Sequence, residues 1–201
     1  MGEVFGADFS SARPDPHALR NTGFTFVVGY VSRISHKCLT DWGRYAQAGL
    51  GVAFVFEDDA IPDYRHGTAD SQFCEQWLRA HGAPMNAPLF FAIDADIPAA
   101  DFPRVAEYGR AFNLATNSPV GPYGKYSLIE ALVTPGRQPM QLGWQASAWS
   151  GDNLSQRANL YQRHTHHHPV AGLADGDYDE DVLIRPLTFV QAAARVVNAA
   201  S

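Results

Sequence analysis

Cysteine is scarce: the 201-residue chain has two, Cys38 and Cys74. Two thiols cannot complete a four-ligand zinc site by themselves, and neither has the flanking pattern of a nucleophile. Both are read as free thiols, one in a loop and one in a helix. Charge is also sparse, at 18% of residues, and the lysines and arginines stand singly within a net charge of −6. No basic stripe is left to track a phosphate backbone, so nucleic acid is excluded as a partner. Long apolar runs are missing as well. No segment approaches the ~20 residues that cross a bilayer. The opening MGEVFGADFSS has no basic stretch followed by an apolar one, so neither membrane insertion nor a signal peptide is expected. GxSxG, the Walker loop, GxGxxG and HExxH do not occur, which removes the simplest serine-hydrolase, nucleotide-binding and zincin readings.

What is present is a rhythm. Hydrophobic residues make up 46% of the chain, enough for one core, and residues 1–201 are read as a single domain and a monomer. Short runs rich in β-branched and aromatic residues fall at 4–9, 24–31, 52–56, 89–96, 120–124, 140–147, 159–162 and 177–184. Helix-like stretches ending near Gly23 and spanning 40–49, 68–81, 101–115 and 126–133 separate the earlier ones, with a closing amphipathic helix at 188–200. Strands alternating with helices predict a parallel sheet. Too few residues separate the later strands for full helices. The expected fold is therefore α/β, a compact or incomplete TIM-type (β/α) barrel with short or missing helices in its second half.

In such a barrel the working residues gather at the carboxyl ends of the strands. Polar groups do stand there: Asp8, then Tyr30 and Ser32, then Glu57 with Asp58 and Asp59, then Asp94 with Asp96. Tyr123 follows near the end of the fifth strand, Trp144 and Gln145 at the sixth, Gln162 at the seventh, and Asp177 with Asp179 around the eighth. Asp94 and Asp96 in AIDAD are the most informative pair. At positions i and i+2 of a strand, two carboxylates share one face about 6 to 7 Å apart. Repulsion and partial burial then keep one protonated as a general acid while the other stays ionised, which is the division glycoside hydrolysis needs. The spacing alone equally fits a metal-binding or capping pair. Tyr30, Tyr123, Trp144 and Trp149 offer flat faces suited to sugars, although packing in the core accounts for any one of them taken singly.

Two further clusters invite a metal reading. RHTHHH, residues 163–168, is internal and is read as a solvated loop, or one that meets substrate in a pH-dependent way near pH ~6 to 7. Glu57, Asp58 and Asp59 supply hard oxygen ligands, but three consecutive residues of a strand cannot converge on one ion. No metal and no cofactor are expected.

The ordered series GADFSSARP, KCLTDWGRYAQAGLGVAFVFED, HGTADSQFCEQWLRAHGAPMNAPLFFAIDADI, VGPYGKYSLIEAL, WQASAWSG, ANLYQR and DYDEDVL covers most of the chain. It resembles the glycoside-hydrolase-like domain family (domain of unknown function 1906), itself similar to family 25 lysozymes and found in phage endolysins and actinobacterial wall proteins. The resemblance implies a barrel directed at the β-1,4 bonds of peptidoglycan, muramidase-like in activity. Asp94 would be the stabilising carboxylate and Asp96 the proton donor. Asp8 would be the first-strand acid, Glu57 the third-strand acid, and Asp179 the acid of the closing segment, with Asp181 as its polar companion. Tyr30, Tyr123, Trp144, Gln145, Trp149 and Gln162 would line the substrate. The lysozymes place glutamate where Asp96 stands, one methylene longer. The alternative reading is an inactive barrel that binds wall glycans, as in a phage tail or lysin module. An endolysin would wait in the host cytoplasm before release to the wall, or be virion-associated.

Overall fold

Eight short strands close on one another in chain order: β1 (Phe5–Phe9), β2 (Phe26–Val31), β3 (Gly51–Phe56), β4 (Leu89–Ala92), β5 (Val120–Gly124), β6 (Trp144–Ala146), β7 (Leu160–Arg163) and β8 (Asp179–Leu183). The computed structural model describes residues 3–163, 168–170, 173–174 and 177–191. Helices α1 (Pro16–Thr22), α2 (Trp42–Gln47), α3 (Gly67–Ala80), α4 (Phe102–Leu114) and α5 (Tyr126–Leu132) supply the crossovers up to β6. After β6 no helix occurs among the described residues. The TIM-type barrel with a helix-poor second half is thus what the chain forms.

The orientation of one strand differs from expectation. β1 to β7 run parallel to their neighbours, whereas β8 is antiparallel to both β7 and β1. Parallel pairing needs a crossover to return the chain to the other end of the sheet. Among the described residues between β7 and β8 there is no such helix, so β8 starts at the end where the other strands finish. Asp179 therefore lies beside Asp8 in the ladder.

Local chemistry explains the boundaries. Asp15 Oδ1 accepts from His17 N at 2.8 Å and Ala18 N at 2.9 Å, Pro16 occupies the first helical position, and Gly23 ends α1 at φ 107°. The helix expected over 40–49 is shorter: Asp41 precedes α2, and no side chain caps that helix. The strand expected across residues 89–96 stops at Ala92. Asp94 N donates to Ala60 O (2.7 Å), outside the ladder with β5, so the chain leaves the sheet there. The closing helix expected at 188–200 is not found over 188–191, where Val190 bridges Val52 antiparallel. Residues 192–200 of that stretch lie outside the described residues.

Alternation along each strand divides the core in two. Outward strand residues such as Phe54 and Phe91 join Tyr108 and Phe112 of α4 in the layer between sheet and helices. Inward residues Phe26, Val28, Ala53, Val55, Phe90, Ala92, Trp144, Ala146 and Leu160 fill the barrel. Phe26 stacks on Phe189 at 4.7 Å and closes the floor. Gly6 makes room for it, since a Cβ there would collide with the Phe26 ring. Each such buried ring stabilises the fold by roughly 1.5–3 kcal/mol relative to exposure. With the lower barrel filled, the inward positions that remain lie at the strand ends.

Candidate functional site

Continuing each inward register by two residues gives the mouth. Val28 leads to Tyr30, Val55 to Glu57, Ala92 to Asp94, and Leu160 to Gln162, while β1 contributes Asp8 and β5 contributes Tyr123. These side chains form a linked set. Tyr123 OH donates to Gln162 Oε1 (2.7 Å) and lies 3.5 Å from Asp94 Oδ1. Gln162 Nε2 donates to Asp8 Oδ2 (2.8 Å), and Tyr30 OH donates to Asp8 Oδ1 (3.4 Å). The polar chain runs from Asp94 to Asp8 across four strands.

Asp8 is only 2% exposed, and burial, then the charge of Asp179, push its carboxyl well above the usual range. Asp181 lies beneath the mouth and is fully buried. Its Oδ1 accepts from Trp144 Nε1 at 2.8 Å. Burial, then the charge of Asp8, raise Asp181, and hydrogen bonding with the Asp8 carboxyl raises it further. Burial and mutual charge thus favour the protonated form in this carboxyl pair.

Glu57 and Asp94 face the opening above this pair. Burial raises Glu57, with Asp94 adding to the shift, although Lys37 Nζ bonds Glu57 Oε1 at 2.8 Å and opposes it. Burial raises Asp94 too, against the Tyr123 hydroxyl and the charge of Lys37. The mouth thus holds two adjacent carboxyls with increased proton affinity, a lysine within reach of both, and two tyrosine hydroxyls. A cavity of about 440 Å³ opens beside Glu57, walled by Arg33, Phe56, Asp58, Asp70 and Ala92. Arg33 ion-pairs with Asp58 and, at 2.9 Å, with Asp70, and its guanidinium lies over Phe73.

Asp8, Tyr30, Glu57, Asp94, Tyr123 and Gln162 come together at the mouth, with Asp179 beside Asp8. Three other predicted residues do not belong there as expected. Asp96 is not inward on a strand: β4 has ended, its side chain is 63% exposed, and Lys125 Nζ holds its Oδ1 at 2.6 Å. Gln145 points outside the barrel and is fully buried. Its amide donates to Asn153 O and accepts from Ser155 N, both at 2.7 Å, so it straps the loop after β6 and offers nothing to substrate. Trp144 is 1% exposed and holds Asp181 from below rather than presenting a face to sugar. Trp149 stands on the rim, exposed.

The histidine run is anchored at its described ends: Arg163 and His168 both meet the buried Glu180, and the His168 ring packs 4.2 Å from that of Phe5. Residues 164–167 lie outside the described residues. Both cysteines are free and buried. No cluster of metal-binding side chains occurs among the described residues, and no described helix is long and apolar enough to cross a membrane. Sequence reasoning missed Lys37, Lys125 and Arg33. A single basic residue in a loop carries no periodic signal, and only its distance to a strand-end acid reveals it.

No curated protein matches the sequence. Solved structures do match. The Mycobacterium tuberculosis Tat-secreted protein Rv2525c, in complex with L-tartrate, is 16% identical with a TM-score of 0.75, over 91% of this chain and 96% of that one. A family 25 glycosyl hydrolase from Bacillus anthracis is 14% identical with a TM-score of 0.58, over 92% and 90%. The modular autolysin LytC from Streptococcus pneumoniae, in complex with a synthetic peptidoglycan ligand, is 11% identical with a TM-score of 0.58, over 90% and 46%. At these identities the likeness is one of fold. The family model is more specific, because it matches residues 17–183, spanning every element from α1 to β8. The chain belongs to the family of Rv2525c-like, glycoside hydrolase-like domains.

Proposed function

We propose that the domain is a peptidoglycan-directed glycoside hydrolase whose reacting pair is Glu57 and Asp94. The observation that carries this reading is the mouth itself: two carboxyls from adjacent strand ends, both with raised proton affinity, stand over a buried acid pair. Glu57 in its protonated form donates to the leaving glycosidic oxygen, and Asp94, fixed beside the Tyr123 hydroxyl, stabilises the positive charge that develops on the sugar until water adds at the anomeric carbon and returns a proton to Glu57. Asp8 and Asp181 keep a field beneath the site without contacting substrate. Wall glycan as substrate is supported by the fold shared with the family 25 hydrolase and with the autolysin bound to a peptidoglycan ligand.

The test is release of reducing ends from purified cell walls, with turbidity followed in parallel. Glu57→Gln should lower kcat by about 10²- to 10⁴-fold, the usual contribution of a positioned acid. Since Glu57 is raised, its donating form persists to higher pH than a free glutamate, and activity should fall as pH rises through its folded pKa. Wild-type activity retained in Glu57→Gln would refute the assignment.

A second reading is favoured by the ion pairs. Lys37 ion-pairs with Glu57 and Lys125 with Asp96, so both acids already have a cationic partner, as suits a barrel that binds glycan without cleaving it. Walls that retain the protein yet release no reducing ends would establish binding alone.

A further inference from the structure

Lysine occurs at only two positions in the chain, Lys37 and Lys125, and arginine supplies the rest of its 15 basic residues. Both lysines lie at the barrel mouth with largely covered side chains, each bonded to one acid, Lys37 to Glu57 and Lys125 to Asp96. Lys125 immediately precedes α5. The next residue, Tyr126, donates its backbone N–H to Ser150 Oγ (2.8 Å), and that hydroxyl donates to Ala146 O (2.5 Å). The Asp96–Lys125 pair and Trp149, one residue before Ser150, therefore share one stretch of rim.

Trp149 is unusual in two independent ways. Its φ of 58° puts a bulky residue in the left-handed region, and the residue is left 43% exposed. Such strain persists only where the surroundings over-determine it, and it concentrates at functional sites. Here the surroundings are explicit. Ser147 N donates to Gln162 O (3.0 Å), Ser150 N donates to Ser147 O (3.2 Å), and the Gln145 amide brackets the far side of the loop. The indole is held out from the core on a braced loop at the mouth end of β6.

We propose that Trp149 and the Asp96–Lys125 pair form an outer sugar-binding subsite on the β4 to β6 side of the mouth. The indole packs on the apolar face of a pyranose ring, and the charge pair hydrogen-bonds to its hydroxyl and acetamido edge. The inference rests on the glycan reading above and moves Asp96 from the chemistry to binding.

With two lysines, reductive ¹³C-methylation, which preserves their charge, gives two mouth reporters in an NMR spectrum besides the chain's α-amine. The probe is a β-1,4-linked N-acetylglucosamine tetrasaccharide. The Lys125 signal should shift saturably on titration. Trp149→Ala should weaken Kd by about tenfold, the equivalent of ~1.4 kcal/mol, while Trp149→Phe stays within about threefold. Asp96→Asn should also weaken binding and raise KM for hydrolysis. The proposal is overturned if Lys37 responds while Lys125 does not, if Trp149→Ala binds as the wild type does, or if Asp96→Asn loses kcat at saturating glycan. If neither lysine responds and no reducing ends appear, the glycan reading falls and the subsite with it.

Discussion

Replacing Asp181 with asparagine isolates the buried proton beneath the mouth. In the wild type, Asp8 and Asp181 keep a proton that the unfolded chain releases near the ordinary aspartate value of about 3.9. Above that pH the folded state binds more protons than the unfolded state. The contribution of the pair is thus fully present below the unfolded pKa and is lost as pH rises through the raised folded pKa, at about 1.4 kcal/mol per pH unit for each proton retained. In Asp181→Asn the amide oxygen still accepts from Trp144 Nε1, and the amide nitrogen can donate to Asp8, which then ionises without a shared proton. The slope of stability against pH should become shallower by about one proton over the interval between the unfolded pKa and the raised folded pKa. Glu57 and Asp94 contribute slopes of the same sign, but they are present in both proteins and cancel in the difference. Urea unfolding followed by tryptophan fluorescence at several pH values measures it. Parallel curves for the two proteins would refute the shared proton.

Two stability predictions address the supports of the site. Trp144→Phe removes the donor to Asp181 Oδ1 inside a full barrel, and unfolding by denaturant should show a loss of about 1–3 kcal/mol, most of it absent when Asp181 is already asparagine. Arg33→Met leaves Asp70 to Tyr108 alone, at 3.0 Å, and Asp58 without its ion pair; because the arginine side chain is 45% exposed, the expected cost is about 1–2 kcal/mol in thermal or urea unfolding, reduced as pH falls through the lowered folded pKa of Asp58.

Much of the fold is legible because the barrel is written in two short periods. Runs such as FVVGYV and GVAFVF are apolar on both faces, as strands between a filled barrel and a helical layer must be, and Gly23 and Asp15 mark helix ends by chemistry that acts within a few residues. The strand-end inventory then finds Asp8, Tyr30, Glu57, Asp94, Tyr123 and Gln162 from position alone. What escapes is set by long-range geometry. Gln145 and Trp144 are neighbours in one strand, and the pleat sends them to opposite faces, one to strap a loop and the other to hold Asp181. The direction of β8 is equally hidden, since a strand reads the same whichever way it pairs. Lys37 is invisible for another reason: its partner Glu57 is twenty residues away, and no spacing rule joins them.

The same Asp-x-Asp pattern occurs twice at the site and has opposite outcomes, which shows how little the spacing means without the ladder. Asp179 and Asp181 lie within β8, paired with β1 from Asp179 to Val182, so the period of two carries both inward, one to the mouth and one beneath it. Asp94 and Asp96 follow the last residue of β4. Asp94 keeps the inward direction set by Ala92, but its N–H has already turned to Ala60, and two residues later Asp96 emerges in solvent against Lys125. The antiparallel strand, the feature least readable in the sequence, therefore supplies Asp181, which lies with Asp8 of β1 under the site. The motif that seemed to announce the chemistry contributes one residue to it and leaves the other on the rim, where a charged pair beside an exposed tryptophan is suited to gripping a sugar rather than to cleaving its bond.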